Sequence, residues 1–226
     1  MRNHAIVDRA TVGLLCLGVA VPILYYGVQV AAAPYFPGFS ILANTASDLG
    51  SDRSENPAFF NAGLLLMAGA MFGASVGILV ALVRLHANRI LAAIAFSTVA
   101  MTGVGTLVAG LFPLPDPRHA GYPAFLVFTL AVPFAMAAAL WKLGISRPVK
   151  AYFAATIVLL LIMVPVMTGA TTIDMGAYAG ICQRVFALTV FPPIAVGAAL
   201  IIARVNAASS IRQAQLALAV NSRAEG

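Results

Sequence analysis

The sequence predicts an all-α, polytopic membrane protein: a six-helix transmembrane bundle with both termini in the cytoplasm. Three observations predict it. Of 226 residues, 62% are hydrophobic and 9% charged, with a mean hydropathy of +0.97, whereas a soluble domain has about a quarter of its residues charged because its surface faces water. Six apolar stretches are long enough to cross about 30 Å of hydrocarbon at 1.5 Å per residue. None of the six contains Asp, Glu, Lys, Arg or His.

The stretches are Ala10–Ala33, Phe59–Leu82, Ile90–Phe112, Pro123–Trp141, Ala151–Ala170 and Val185–Ala203. Lipid offers a bare backbone no hydrogen-bond partner, so each must be helical. The first ends in Ala31-Ala32-Ala33, which looks like a signal-peptidase site. The apolar run before it is longer than a signal-peptide core, and Pro34 stands where cleavage would occur, so a retained helix is expected. In the second, Gly69-x-x-x-Gly73-x-x-x-Gly77 aligns three glycines on one face, which fits close packing inside the bundle. Prolines 22, 133, 165, 192 and 193 fall inside stretches, where each frees a carbonyl and kinks the helix. Residues 1–205 form the transmembrane domain and 206–226 a short cytoplasmic tail. In the tail, Ile211, Leu216, Leu218 and Val220 stand among polar residues, which suits either a short amphipathic helix or a frayed end.

Orientation follows from the basic residues. Arg2, Arg9, Arg84, Arg89, Lys142, Arg147, Lys150, Arg204, Arg212 and Arg223 flank one side, and Arg53, Arg118 and Arg184 the other. The excess of Lys and Arg marks the first side as cytoplasmic. Asp48, Asp52, Glu55, Asp116 and Asp174 lie outside, whereas Asp8 and Glu225 lie inside. The net charge of +6 is therefore a topology signal. No run of basic residues interleaved with aromatics is present, which excludes nucleic acid as a partner. Cys16 and Cys182 fall at opposite ends of the membrane, too far apart for a disulfide.

An interior without ionisable groups argues against a pump or ion-coupled carrier. The polar chemistry collects in three outer loops. The longest runs from Pro34 to Ala58: an aromatic, interfacial half precedes Asn44-Thr45-Ala46-Ser47-Asp48-Leu49-Gly50, with Asp52, Arg53 and Glu55 beyond. The second contains Asp116-Pro117-Arg118-His119, and the third Asp174 and, further on, Gln183-Arg184. Asp52-Arg53 before Pro57-Ala58-Phe59 is echoed by Asp116-Pro117-Arg118 before Pro123-Ala124-Phe125. If the loops converge, their carboxylates, guanidiniums and single imidazole form one network, either a binding site or a set of surface ion pairs. His119 with Asp48, Asp116 or Asp174 is a candidate base with an orienting carboxylate. Paired-His and HExxH spacing is missing, so no metal site is expected and no cofactor is indicated. Ser47 lacks the context of a hydrolase nucleophile elbow.

Ser47-Asp48-Leu49-Gly50, Pro57, Phe60-Asn61-Ala62-Gly63-Leu64, Gly110-Leu111-Phe112-Pro113 with Asp116 and His119, and Gly180-Ile181-Cys182-Gln183-Arg184 follow one another along the chain. In these the sequence resembles a family of prokaryotic membrane proteins, domain of unknown function 998. The resemblance implies a multi-helix protein of a prokaryotic plasma membrane with its signature residues near one face, and implies no reaction. It singles out Asp48, Asn61, His119 and Arg184.

The expected function is a site at the outer interface that binds or acts on a lipid or amphiphile. Arg184 and Arg118 would pair with an anionic headgroup, Asp48 and His119 would form an acid/base or hydrogen-bonding pair, Asn61 would orient the ligand, and Asp116 would complete the polar rim. Membrane lipids are the expected surroundings and protein partners are left open. The alternatives are an accessory membrane protein acting through partner contacts and, least favoured, a small-solute transporter.

Overall fold

The computed structural model describes residues 2–121, 123–141 and 143–224, with side chains described for 9–119, 121, 125–141, 143–212, 214 and 215. Tyr122, Lys142 and Glu225 fall outside the described residues, as do the side chains of Arg2, His4, Asp8, Leu216, Leu218, Val220 and Arg223. Among the described residues the regular structure is entirely helical: α1 (Arg2–Ala32), α2 (Pro57–Arg84), α3 (Arg89–Leu111), α4 (Pro123–Trp141), α5 (Arg147–Met167), α6 (Met175–Leu188) and α7 (Phe191–Ala224). Short 3-10 turns at Ser47–Gly50 and Pro117–Ala120 precede α2 and α4, so the two loops with the echoed sequence also share a local shape.

Five apolar helical stretches are long enough to cross a membrane, with α6 and α7 counted together, and Phe125–Trp141 is a shorter sixth. The chain is therefore a multi-pass helical membrane protein. Its packing agrees: Leu15, Phe60, Met71, Met136, Phe153 and Ile194 are fully buried, while Ile23, Val30, Leu66, Ile90, Val127 and Leu161 are exposed on the outside of the bundle. Large apolar side chains on both the inside and the outside suit a bilayer as solvent.

The sixth stretch is corrected. Expected as a continuous helix over Val185–Ala203, it is broken at Thr189 and Val190, and its N-terminal part begins ten residues earlier, at Met175. The cause is Pro192-Pro193. Two successive prolines remove the backbone donors that would have bonded to Leu188 O and Thr189 O, and both are accommodated in the first turn of the helix that restarts at Phe191. The break is self-satisfied, with Thr189 donating its N–H and hydroxyl to Phe186 O at 2.9 and 2.7 Å and Val190 N–H bonding to Ala187 O at 3.1 Å. Beyond the break, α7 runs through the membrane-facing residues and on to Ala224 without interruption.

Glycines set the closest approaches. A Cβ on Gly73 or Gly77 would run into Leu17 or Leu14 of α1, so two glycines of the Gly69-Gly73-Gly77 series serve the α1–α2 contact inside the bundle, while Gly69 has no atom within 4 Å of such a Cβ. Gly18 brings α1 against Ala74 of α2 and Ala198 of α7. Arg84, His86, Val205 and Arg212 surround one pocket, and Arg204 donates to Gly144 O at 2.9 Å. The basic helix ends thus gather at one end of the bundle, opposite the loops 33–56 and 112–121. Cys16 is exposed on α1 and Cys182 buried on α6, and both are free.

Candidate functional site

The long loop is a packed part of the fold: Phe36, Ala46, Leu49, Ser51 and Ser54 are all buried. Its first half ties back onto itself, with Ser40 N–H on Asn44 Oδ1 at 2.8 Å and Glu55 N–H on Tyr35 O at 2.8 Å. Its residues 41–46 then lie as a strap across α6. Ile181 N–H bonds to Leu42 O at 3.0 Å, Arg184 Nη1 donates to Ile41 O at 3.0 Å and Asn44 O at 2.8 Å, and Ala46 N–H donates to Gln183 Oε1 at 2.6 Å. Gly180 makes this possible, because a Cβ there would collide with Asn44 O and Ile41 O.

Arg184 is therefore a buried residue, 7% exposed, with its guanidinium against the Phe39 ring at 5.5 Å. It lies inside the apolar stretch Met175–Arg212, not at a loop surface as the sequence led one to expect. Its Nη2 is buried without a hydrogen-bond partner. On α1, Tyr26 donates its hydroxyl to Arg184 O at 2.9 Å.

The Ser47–Gly50 turn is held from both sides. Asp48 Oδ2 accepts from Thr45 N–H at 2.7 Å and Thr45 Oγ1 at 2.9 Å, so this carboxylate closes its own turn. Asn61 of α2 donates Nδ2 to Gly50 O at 2.9 Å, and the contact is so close that a Cβ on Gly50 would strike the Asn61 amide. Asp174 caps α6 by accepting from Gly176 N–H at 2.8 Å. Asp116 accepts from Arg118 N–H and pairs with its guanidinium at 2.7 Å, and that guanidinium stacks on Phe112 at 3.9 Å. Among the described residues, the carboxylates and guanidiniums of the three loops are thus not brought into one network. What ties the long loop to α2 and α6 is mostly hydrogen bonds to backbone.

One side-chain pair does cross between loops. His119 Nε2 lies 2.8 Å from Ser47 Oγ, and His119 Nδ1 lies 2.9 Å from Phe112 O. Sequence reasoning set His119 beside Asp48; the structure sets it beside Ser47. Local signals for this were absent, since the two residues are 72 positions apart.

The Asp116 carboxyl is made more acidic by its neighbour Arg118. Its hydrogen bonds from the Arg118 side chain and backbone hold its carboxyl at about 2, below the ordinary 3.8. A depressed carboxyl contributes stability that is complete above the unfolded value and lost as pH falls through the folded one. For this exposed pair the loss is small and falls between about 4 and 2. A carbon-13 titration of the Asp116 carboxyl in detergent is expected to give a midpoint near 2, rising toward the ordinary value in Arg118→Ala.

Beneath Ser47 lies a cavity of about 240 Å³. Ser47 and Gln183 stand at its loop end, with Phe60 and Met67 of α2, Thr102 and Ala109 of α3 and Leu126 of α4 along its walls. From Phe60 to Met67 is seven residues, so the cavity reaches roughly 10 Å into the bundle at 1.5 Å per residue. The hydroxyls of its threonines are already engaged: Thr102, Thr106 and Thr129 donate them to the carbonyls four residues earlier. Leu126 of α4, which lines the cavity, is 52% exposed on the outside of the bundle.

Among the described residues no cluster of His, Cys, Asp and Glu is arranged to hold a metal. Fold and site together define a multi-pass helical membrane protein with an apolar cavity roofed by a hydrogen-bonded loop. The chain belongs to the family described as protein of unknown function (DUF998), whose model matches residues 19–200. No curated protein and no solved structure matches it.

Proposed function

We propose that the cavity is a binding site for the apolar chain of a lipid or other amphiphile, with the polar part of that molecule at the loop face. The observation that carries this is the cavity itself: largely apolar walls, one of them formed by Leu126, which is exposed on the outside of the bundle, and Ser47 and Gln183 at the loop end. Drug-sized ligands occupy about 300–1,000 Å³. A cavity below that range takes one chain and leaves the rest of the molecule in the bilayer.

In this reading Ser47, His119 and Gln183 meet the ligand's polar group. Asp48, Asn61 and Arg184 act as positioning residues, because their polar atoms hold the roof. Arg118, with Asp116 beside it, is an exposed cation of the rim and faces an anionic headgroup. The loop face is the extracytoplasmic one, since the basic helix ends gather at the other end. Both termini then lie in the cytoplasm, and the membrane is the plasma membrane of a prokaryote.

A photoactivatable octyl amphiphile added to the protein in phosphatidylcholine nanodiscs tests the reading. Crosslinks are expected at residues of α2, α3 and α4 that line the cavity. A Cβ on Gly105 would lie 3.5 Å from Phe125 Cβ, so Gly105→Leu fills the space and should lower labelling roughly tenfold. Thr106→Val removes a hydroxyl committed to the backbone and should leave labelling intact. Labelling spread evenly over the lipid-facing surface, unchanged by Gly105→Leu, would sink the proposal. Copurification of a stoichiometric protein partner whose binding covers the loop face would favour an accessory role instead.

A further inference from the structure

We infer that Ser47 and His119 form a nucleophile–base pair that cleaves a carboxylic ester whose acyl chain lies in the cavity; this rests on the amphiphile-site reading above. A carbonyl oxygen can only accept, so the 2.9 Å contact of His119 Nδ1 with Phe112 O puts the ring proton on Nδ1. Nε2 then carries the lone pair, and at 2.8 Å it accepts the hydroxyl proton of Ser47. Nucleophile, base and a third group that orients the base are the parts of an activated serine.

The third group here is a backbone carbonyl, and its place in the fold explains how it serves. Phe112 caps the C-terminal end of α3, and the last carbonyls of a helix have no intrahelical donor. The negative end of the helix dipole sits there and favours the imidazolium that forms when His119 takes the serine proton. Gln183 supplies the remaining part. Its Oε1 is occupied by Ala46 N–H, the residue before Ser47, which fixes the amide so that Nε2 is the free donor; among the described residues Nε2 has no hydrogen-bond partner, and Gln183 lines the same cavity as Ser47. An amide donor beside the nucleophile suits the oxyanion of a tetrahedral intermediate.

The step balances with water as co-reactant. Ser47 Oγ bonds to the ester carbonyl carbon while its proton passes to His119 Nε2. The carbon–oxygen bond to the alcohol then breaks, and Nε2 returns the proton to that alcohol. Water attacks the acyl-serine with His119 again taking a proton, and collapse releases the carboxylic acid and restores Ser47. The apolar walls select the acyl part and place its carbonyl at the loop end, where Ser47 stands.

Full-length protein in nanodiscs is incubated with p-nitrophenyl octanoate, p-nitrophenyl acetate or an octyl fluorophosphonate, and the adduct is located by peptide mass spectrometry. Expected are a phosphonyl adduct on Ser47, release of nitrophenol from octanoate faster than from acetate, and loss of both in Ser47→Ala. His119→Gln should slow release by about 10²–10⁴-fold, and Gln183→Ala should lower the turnover rate more than it changes the apparent affinity. Adduct location in the unmodified chain needs no variant, so a misfolded mutant does not blur the result. No adduct, or an adduct elsewhere, overturns the inference, and it does so while leaving the amphiphile site intact if the photoactivatable octyl probe still labels the cavity. Equal rates with acetate and octanoate would instead keep the pair and remove the amphiphile reading.

Discussion

Replacing Arg184 by Ala is expected to lower stability by about 2–4 kcal/mol, because it takes from two loop carbonyls the buried donor they share, at about 1–3 kcal/mol each. Ile41 O and Asn44 O accept from the same Nη1. With the guanidinium gone, neither carbonyl keeps its bond to α6. An opposing effect is real: a buried cation whose Nη2 has no partner is itself expensive, and removing it returns part of the loss. The carbonyls decide the sign, since two acceptors are abandoned and one unpaired donor is relieved. Arg184→Met separates the two effects by keeping volume while removing charge, and should lose less than Arg184→Ala. For a chain of this size, roughly 2–4 °C per kcal/mol applies, so thermal unfolding of the alanine variant in detergent should shift down by about 5–15 °C. Hydrogen exchange should rise at residues 41–46 and stay unchanged in α2 and α3. A melting temperature equal to that of the unmodified chain would show that the strap is held by the other contacts alone.

The membrane architecture was legible because bilayer insertion depends on hydropathy and length, which are properties of residue strings. Five helical stretches are long and apolar enough to cross, with the expected fourth shorter at Phe125–Trp141, and the glycine series packs α1 on α2 at two of its three positions. The sixth stretch was misplaced for a reason also present in the string: Pro192-Pro193 carried the break, yet a hydropathy window reads straight through them. The site was legible only in part. Asp48, Asn61, His119 and Arg184 do lie where the loops meet, but each of them bonds to backbone. A carbonyl partner has no residue identity, so no complementary letter in the sequence announces it. Expectation therefore paired charge with charge, while the fold paired Arg184 with Asn44 O and Asn61 with Gly50 O. The Ser47–His119 contact was hidden by distance along the chain, and Gln183 by being neutral. Its position within Gly180-Ile181-Cys182-Gln183-Arg184 was the available signal, since that whole motif is the surface on which the strap lies.

Gly180→Ala should damage the same strap from the other side, at about 1–3 kcal/mol for one extra methyl in a packed contact. The new Cβ would meet the backbone oxygens of Asn44 and Ile41 as well as Arg184 Nη1. Flexible side chains can move aside, but these oxygens are fixed by their own hydrogen bonds, so the strap must lift. Lifting it draws Ala46 N–H away from Gln183 and carries Ser47 with it. Reaction of the octyl fluorophosphonate with Ser47 should then fall even though Ser47 and His119 are untouched. Gly69→Ala is the matched control: nothing lies within 4 Å of its Cβ, and alanine favours helix over glycine by roughly 0.5–1 kcal/mol, so that variant should be neutral or slightly stabilised. Because Gly180 and Arg184 act through one contact, their effects should not add. The double variant Gly180→Ala/Arg184→Ala is expected to lose clearly less than the sum of the singles, a coupling of 0.5 kcal/mol or more being usual for residues that share partners, about the smallest this measurement must resolve. Strict additivity in detergent unfolding would mean that the glycine and the arginine secure different parts of the loop, and that the roof over the cavity is held at two independent points.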